Sequence, residues 1–517
     1  MRKIFLWIFT FCSMNGLCVY NIGGYFENWA QYQAGYNGQY ATKPEDLDAY
    51  INGLDTFYYA FSFFKFGYEE NSPQPWVDNK TYYTVHNNWN IYPSEWNDIN
   101  YWHKTEGQWD KALALRNTHP GLKVVLSIGG WFFATPGIWY SDTTLTYFHD
   151  MSTNSANRTE FIASAVALCT GNYVWAGTTQ TDINFDGIDL DWEYPASTQH
   201  GGNGADYQGY YDLLKELGAA LHAQGKVLSI AAPASVPAGT VSGTYTPDVG
   251  PPKNVDPNIP ATYFEWLADC AKHLDHINVM CYDYYGPGYS AVTADNAPLY
   301  PFQGLLSTQQ TISEYKTAFA AVGGDLSKII IGLAAYGHTF AGVDFNTGWD
   351  LNNYPYGPGA NYSGADAGGP LTNQAGYLSY IEIEKSIPPP SILNQSSVTG
   401  KLPANPNNRT FGDYFPHQNN NIIVNKGASD SYYYNGFKYD ADTGCYYAYN
   451  STNNVWVSFD TPKNASFLNA GQPSSIEVKC NYVKAQGLGG VMIWPLDNDL
   501  YTSPDESILK TMVDTMQ

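Results

Sequence analysis

The sequence predicts an α/β protein, a (β/α)8 TIM barrel with a small α+β insertion between its seventh and eighth strands. Three observations predict it. Eight short β-rich runs recur along the chain, most of them followed by a helical pattern. The turn after the first run, Gly23-Gly24-Tyr25-Phe26-Glu27, lacks the Gly-x-Gly-x-x-Gly spacing that an open doubly wound sheet would want. The stretch 341–455, rich in Gly, Pro, Asn and Tyr, is too long to be a bare crossover loop.

Residues 1–18 precede the fold. Arg2 and Lys3 stand before the apolar run Ile4 to Phe11, and Gly16 and Cys18 fall at −3 and −1 of a cut before Val19. That is the layout of a secretory signal peptide. The run is too short to span hydrocarbon and no later segment reaches spanning length, so the expectation is an extracellular protein with no membrane partner.

The strands are expected at Val19 to Tyr25, Thr56 to Phe63, Leu122 to Ser127, Phe185 to Leu190, Lys226 to Ala231, Ile277 to Tyr282, Lys328 to Leu333 and Gly490 to Trp494. Between them Phe161, Ala165 and Leu168, then Tyr210, Leu213, Leu214, Leu217 and Leu221, then Phe264, Leu267 and Ala271 repeat at helical spacing. Residues 65–108, with Trp76, Trp89, Trp96 and Trp102, read as loop. Tyr432 to Tyr439 and Tyr446 to Trp456 read as strands of the insertion, so the barrel is drawn as 19–340 plus 456–517 and the insertion as 341–455.

Composition narrows the chemistry. Lys and Arg number 25 against 48 Asp and Glu, a net charge of −23, which excludes a surface that neutralises phosphates and so a nucleic-acid partner. The chain is 44% hydrophobic and only 14% charged, enough for a large core. Its 44 Tyr and 15 Trp offer flat apolar faces with polar tips, suited to sugars, whose CH faces stack while their hydroxyls seek partners. Beyond Cys12 and Cys18, five cysteines remain: Cys169, Cys270, Cys281, Cys445 and Cys480. None are at metal-ligand spacing, one disulfide is possible with a thiol left over, and Cys270 and Cys281 read as buried free thiols. No metal or cofactor is implied, and a monomer is expected.

The chemistry concentrates in the fourth strand. Asp189, Asp191 and Glu193 are spaced by two, so on a strand they share one face at steps of about 6.6 Å. Ile188, Leu190 and Trp192 take the other face, toward the helices. The acidic row then points into the barrel and ends at the rim where barrel active sites sit. Adjacent buried carboxylates resist joint ionisation, so at least one pKa is raised, and a protonated Glu193 at the rim is a general acid. The alternative, a solvated acidic edge strand, is opposed by Phe185 and Trp192.

Asp186-Gly-Ile-Asp-Leu-Asp-Trp-Glu193 resembles the D-x-x-D-x-D-x-E signature of family 18 glycoside hydrolases, the chitinases. Lys123 to Trp131 (KVVLSIGGW) is similar to the family's third-strand Ser-x-Gly-Gly motif. Met280-Cys-Tyr-Asp-Tyr-Tyr-Gly286 is similar to its sixth-strand motif, and Gly489 to Trp494 to its eighth strand with a floor tryptophan. Gly24-Tyr25 and Ala60-Phe61 fit strands one and two. The resemblance runs from about residue 19 to 510, and the insertion matches the chitin insertion domain of one subgroup.

The resemblance implies a substrate-assisted, retaining mechanism on chitin or N-acetylglucosamine oligosaccharides, outside the two-carboxylate rule. Glu193 would protonate the glycosidic oxygen and then activate water. Asp191 would hold the acetamido N–H, Asp189 would share a proton with Asp191, and Tyr282 would donate to the acetamido oxygen. Asp283 would bind and distort the sugar. Trp494 would stack beneath it, with Tyr25, Phe61, Gly130, Trp131 and Met280 lining the pocket; Phe61 and Met280 also stand where barrel core is expected. The family usually shows Tyr-Gly-Arg after strand seven, and here Tyr336-Gly337-His338 stands instead. Arg is a fixed cation, whereas His changes charge near neutrality, so His338 either makes sugar binding pH-dependent or is a plain loop residue. An endo-β-N-acetylglucosaminidase acting on N-glycans is the second enzyme reading, opposed by intact Asp191, Tyr282 and Asp283. A non-catalytic chitin-binding lectin is opposed by intact Glu193.

Overall fold

The structure is a computed structural model that describes residues 20–32, 42–68, 83–95, 97–99, 107–137, 141–175, 177–345, 357–366, 374–385, 438–440, 443–450, 455–463, 465 and 473–517. The expected leader, Trp76, Trp96, Trp102 and most of the 341–455 stretch lie outside the described residues.

Eight parallel strands close into a barrel: β1 (Asn21–Glu27), β2 (Thr56–Phe64), β3 (Lys123–Gly129), β4 (Gly187–Asp191), β5 (Val227–Pro233), β6 (His276–Met280), β7 (Ile329–Ala334) and β8 (Gly490–Trp494). Each pairs with its sequence neighbours, and β1 pairs with both β2 and β8, which removes the sheet's free edges. All eight are nearly continuous buried runs, as strands covered on both faces must be. Each expected run contains or overlaps its strand.

Helices wrap the barrel: α1 (Gln108–Ala114), α2 (Ser155–Cys169), α3 (Asp206–His222), α4 (Pro260–Cys270), α5 (Thr308–Val322), α6 (Ser475–Gln486) and α7 (Ile508–Met516). Four of them start on a capping side chain. The Asn154 side chain accepts from the backbone N–H groups of Ala156 and Asn157 at the head of α2, and Ser474 accepts from Glu477 at the head of α6. The periodic residues Leu213, Leu214, Leu217 and Leu221 of α3, Phe161, Ala165 and Leu168 of α2, and Phe264 and Leu267 of α4 are all buried against the barrel.

The segment after β2 is more ordered than a plain loop. Phe66–Tyr68 pairs with Tyr83–Val85, and Ile91–Pro93 adds antiparallel to β2. Its aromatic residues find packing partners there: Trp89 lies 6.4 Å from Phe64, centroid to centroid, and the Lys65 ammonium sits 4.6 Å above the Trp89 ring.

Between β7 and β8 the described residues form a second sheet, antiparallel throughout. Tyr336–Ala341 pairs with Val455–Phe459, Gly364–Ala365 and Tyr377–Ser379, and the sheet continues through Cys445–Asn450 to Lys438–Asp440. Alternate side chains serve opposite faces. Val455, Val457 and Phe459 join a cluster with Leu378, Ile383 and Tyr446, while Trp456 joins Phe340, Val343 and Tyr447. The sheet straddles both boundaries drawn from sequence, because Tyr336–Ala341 and Val455–Phe459 are partners in it.

The five cysteines at 169, 270, 281, 445 and 480 are free and buried, so the possible disulfide is not formed among them. Among the described residues no helix is long and apolar enough to cross a membrane.

Candidate active site

Strand register assembles the site. Asp189 of β4 stands opposite Ser127 of β3 and Ser229 of β5, so three polar side chains meet inside the barrel at one level. Ser229 Oγ donates to Asp189 Oδ1 at 2.6 Å and Ser127 Oγ to Oδ2 at 2.7 Å. The Tyr25 hydroxyl donates to Oδ2 at 3.0 Å, and Asn278 Nδ2 donates to the Tyr25 oxygen at 2.9 Å. Burial pushes the Asp189 carboxyl up, and these donors pull it back.

Asp191 closes β4 and is also buried, but its Oδ1 has no hydrogen-bond partner. Burial, then the charges of Glu193 and Asp189, hold its carboxyl well above the usual range. Glu193 lies two residues past the end of the strand, still buried. Burial pushes it up to about 7, the Tyr194 hydrogen bond opposing and the Asp283 charge adding. The row therefore has three environments: a hydrogen-bonded carboxylate at depth, an unpartnered group above it, and a group that titrates near neutrality at the mouth.

The turn after β3 must pass close to this row. Gly129 and Gly130 hold φ of +112° and +84°; a Cβ on Gly129 would stand 2.3 Å from the Asp191 carbonyl oxygen, and one on Gly130 2.5 Å from the Phe61 ring. Gly130 N–H donates to that same carbonyl at 2.8 Å. The loop then presents Trp131, 45% exposed, against His200 at 5.0 Å and Tyr194 at 6.4 Å.

Trp494 at the end of β8 stacks on Phe61 at 5.7 Å and meets Tyr25 edge-on at 5.6 Å. Phe61 is thus both buried and part of this aromatic group; Met280, ending β6, is partly buried against the core. Tyr282 is buried, packs edge-on against Tyr336 at 6.1 Å, and feels Asp191, Asp283 and Glu193. His338 Nε2 lies 2.7 Å from Asp283 Oδ1, so it is no plain loop residue.

Twelve of the thirteen residues singled out from sequence are thus linked by the contacts described, in and above the C-terminal half of the barrel, while Met280 is placed only against the core. Five others belong with them. Ser127, Ser229 and Asn278 were signalled by a polar residue at inward parity in an apolar strand. Trp29, stacked on Phe61 at 6.0 Å, and Tyr377, stacked on Tyr336 at 4.6 Å, carried no local signal. Among the described residues no group of His, Cys, Asp or Glu has the arrangement of a metal site.

The chain matches Glycosyl hydrolases family 18 over residues 21–499. It belongs to that family. Its family 18 relatives include chitotriosidase-1 of Mus musculus, 26% identical over 77% of this chain and 63% of the relative, and chitinase A1 of Niallia circulans, 25% identical over 93% of this chain and 56% of the relative. The chain thus spans less than two thirds of the length of either. Among solved structures it is similar to catalytic domain 2 of the Group II chitinase of Ostrinia furnacalis, with a TM-score of 0.61 and 22% identity over 96% of each chain. That likeness agrees with the barrel fold.

Proposed function

We propose that this family 18 member is an exported chitinase that hydrolyses β-1,4 bonds between N-acetylglucosamine units of chitin and its oligomers, with retention of configuration. The observation that carries the reading is the gradient along the carboxylate row. Glu193, near 7, holds a proton it can give to a glycosidic oxygen at neutral pH. Asp191 lies well above the carboxylate range, so it is a poor anionic nucleophile. Membership of family 18 supports the substrate's own acetamido oxygen as the attacking group.

In this mechanism the sugar lies over Trp494 with its acetamido group turned toward Asp191 and Tyr282. Glu193 protonates the leaving oxygen as the acetamido oxygen attacks the anomeric carbon, giving an oxazolinium ion. With its proton passed toward Asp189, Asp191 accepts the acetamido N–H and as the anion stabilises the positive charge, and Tyr282 donates to the acetamido oxygen. Asp189 tunes Asp191 from below. Glu193, now a carboxylate, takes a proton from water, which opens the oxazolinium from the face the leaving group vacated.

Further support comes from the names of the relatives, all chitinases, and from the aromatic surface formed by Trp29, Phe61, Trp131 and Trp494. The second sheet is read as a chitin insertion domain beside the cleft, favouring exo-acting or processive cleavage. Each chain carries a full set of site residues, consistent with action as a monomer, and the 1–18 leader supports export. The test is product analysis on an N-acetylglucosamine hexamer. Wild-type protein should release short oligomers whose first product retains its anomeric configuration by NMR. Glu193→Gln should lower turnover by about 10²–10⁴-fold while still binding the hexamer. Wild-type turnover in that variant, or an inverted product, would sink the reading.

A further inference from the structure

We propose that His338 is a positioning residue that clamps Asp283 only while the imidazole is doubly protonated, so that this chain's grip on its sugar is released as pH rises. The identity of the sugar rests on the chitinase reading above; the clamp rests on geometry.

His338 sits in the strand Tyr336–Ala341 with its side chain 12% exposed. Its Nδ1 lies 3.0 Å from the Gly376 carbonyl oxygen and its Nε2 2.7 Å from Asp283 Oδ1. A carbonyl oxygen only accepts, and an ionised carboxylate only accepts. Both contacts therefore need a ring N–H, and imidazolium is the only form of the ring that has two. A neutral ring satisfies one contact and sets a lone pair against the other oxygen.

The backbone around Asp283 is held independently of this contact. Asp283 has φ +54°, its N–H donates to Asn296 Oδ1 at 2.9 Å, and Asn296 Nδ2 donates to the Tyr336 carbonyl at 3.2 Å. The carboxylate meets His338 and lies near the Tyr336 side chain, and the Asp283 side chain is 53% exposed. The groups facing His338 from each packed element are known. Tyr336 stands on its own strand, Tyr377 on the adjacent strand, Ser458 in register on the other side, and Asp283 and Tyr289 in the segment after β6. The Tyr289 hydroxyl lies 3.4 Å from Nε2. Further carboxylates reach the cluster through their neighbours: Glu193 through Asp283, and Glu27, Asp497 and Glu382 through Tyr377.

A guanidinium here would be a permanent cation. An imidazole changes charge between about pH 5 and 8. With the ring doubly protonated Asp283 is oriented and sugar is held; with a neutral ring the carboxylate loses that donor.

The test uses a Glu193→Gln background, which slows hydrolysis by the factor given above and removes the titration of Glu193. Binding of the N-acetylglucosamine hexamer is measured calorimetrically from pH 5 to 8.5 with His338, His338→Arg and His338→Gln. The expected result is a loss of affinity of about tenfold across that range with His338, the worth of one charge-assisted hydrogen bond. His338→Arg should bind tightly and without slope, and His338→Gln weakly and without slope. A flat profile with His338, or an unchanged slope in the Arg variant, would overturn the clamp while leaving the chitinase reading standing. No hexamer binding by any variant at any pH would overturn the substrate reading, and the clamp with it. A measurement that needs no substitution at His338 is 15N NMR of its ring: both nitrogens should carry protons at pH 5.5, and a single-proton tautomer there would overturn the proposal.

Discussion

Tyr25 and Asp189 stand on β1 and β4, and the Tyr25 hydroxyl spans the barrel interior to donate to Asp189 Oδ2 at 3.0 Å. The same hydroxyl oxygen accepts from Asn278 on β6, so one phenol ties three strands to the deepest carboxylate of the row. Tyr58, stacked on Tyr25 at 4.4 Å, keeps the ring in place.

Tyr25→Phe removes one donor that opposes the burial of Asp189 and leaves Asn278 Nδ2 only its 3.5 Å contact with Asp189 Oδ1. The expected outcome is a fall in kcat of about tenfold, the usual worth of a hydrogen bond to a charged group, with hexamer affinity little changed. Steady-state kinetics on the hexamer checks it; an unchanged kcat would show that Asp189 has no part in turnover.

The raised Glu193 pKa sets two pH dependences of known sign. In the proposed role of general acid it must be protonated, so kcat/KM should fall about tenfold per pH unit above about 7. For stability, the folded carboxyl keeps its proton where the unfolded one, near 4.3, has released it. Its stabilising contribution is complete below about 4.3 and is lost as pH rises through about 7, a difference of about 4 kcal/mol. Glu193→Gln should therefore gain stability relative to wild type between pH 4 and 8. Urea unfolding midpoints across that range decide.

Trp494→Ala withdraws the face against which Phe61 stacks and Tyr25 packs. Loss of an aromatic face of this size costs about 1.5–3 kcal/mol of binding, so kcat/KM should drop roughly tenfold to a hundredfold. Trp494→Phe should recover part of it, and an effect under twofold in both would remove this ring from the substrate site.

Lys479 of α6 and Asp460, just past the strand Val455–Phe459, form a buried ion pair at 2.5 Å, and Lys479 Nζ also donates to the Ala297 carbonyl. Lys479→Met leaves Asp460 buried without its cation and should destabilise the fold by about 3–5 kcal/mol. The double variant Lys479→Met/Asp460→Leu should recover most of that, because both charges are then absent. Chemical denaturation of the two variants checks it.

Much of the site was legible because strand parity is strict. Asp189 and Asp191 share a face since their spacing is two, and Ile188, Leu190 and Trp192 pack outward as the same rule requires, Trp192 stacking on Phe148 at 5.2 Å. Glu193 was readable as part of the row although β4 ends at Asp191, since the backbone past the strand keeps it buried. Less could be read where the partner is distant in sequence. His338 meets Asp283 55 positions away, a contact set by how the second sheet pairs. Lys479 is a cation on a helix, which by pattern would be solvated; its pairing with Asp460 and its bond to the Ala297 carbonyl make its burial tolerable. Phe66–Tyr68 and Ile91–Pro93 escaped notice because three-residue strands are too short for a period to show.

Ala335 is the single residue between β7 and the first strand of the second sheet. Its N–H donates to the Trp494 carbonyl and its own carbonyl accepts from Tyr380. Anyone building chimeras by exchanging the 341–455 stretch between homologues should therefore place the splice points after Ala341 and before Val455. A donor segment joined at Tyr336 would also replace Tyr336 and His338, which meet Tyr282 and Asp283, whereas one joined after Ala341 keeps them and asks of the donor only a backbone N–H at position 380.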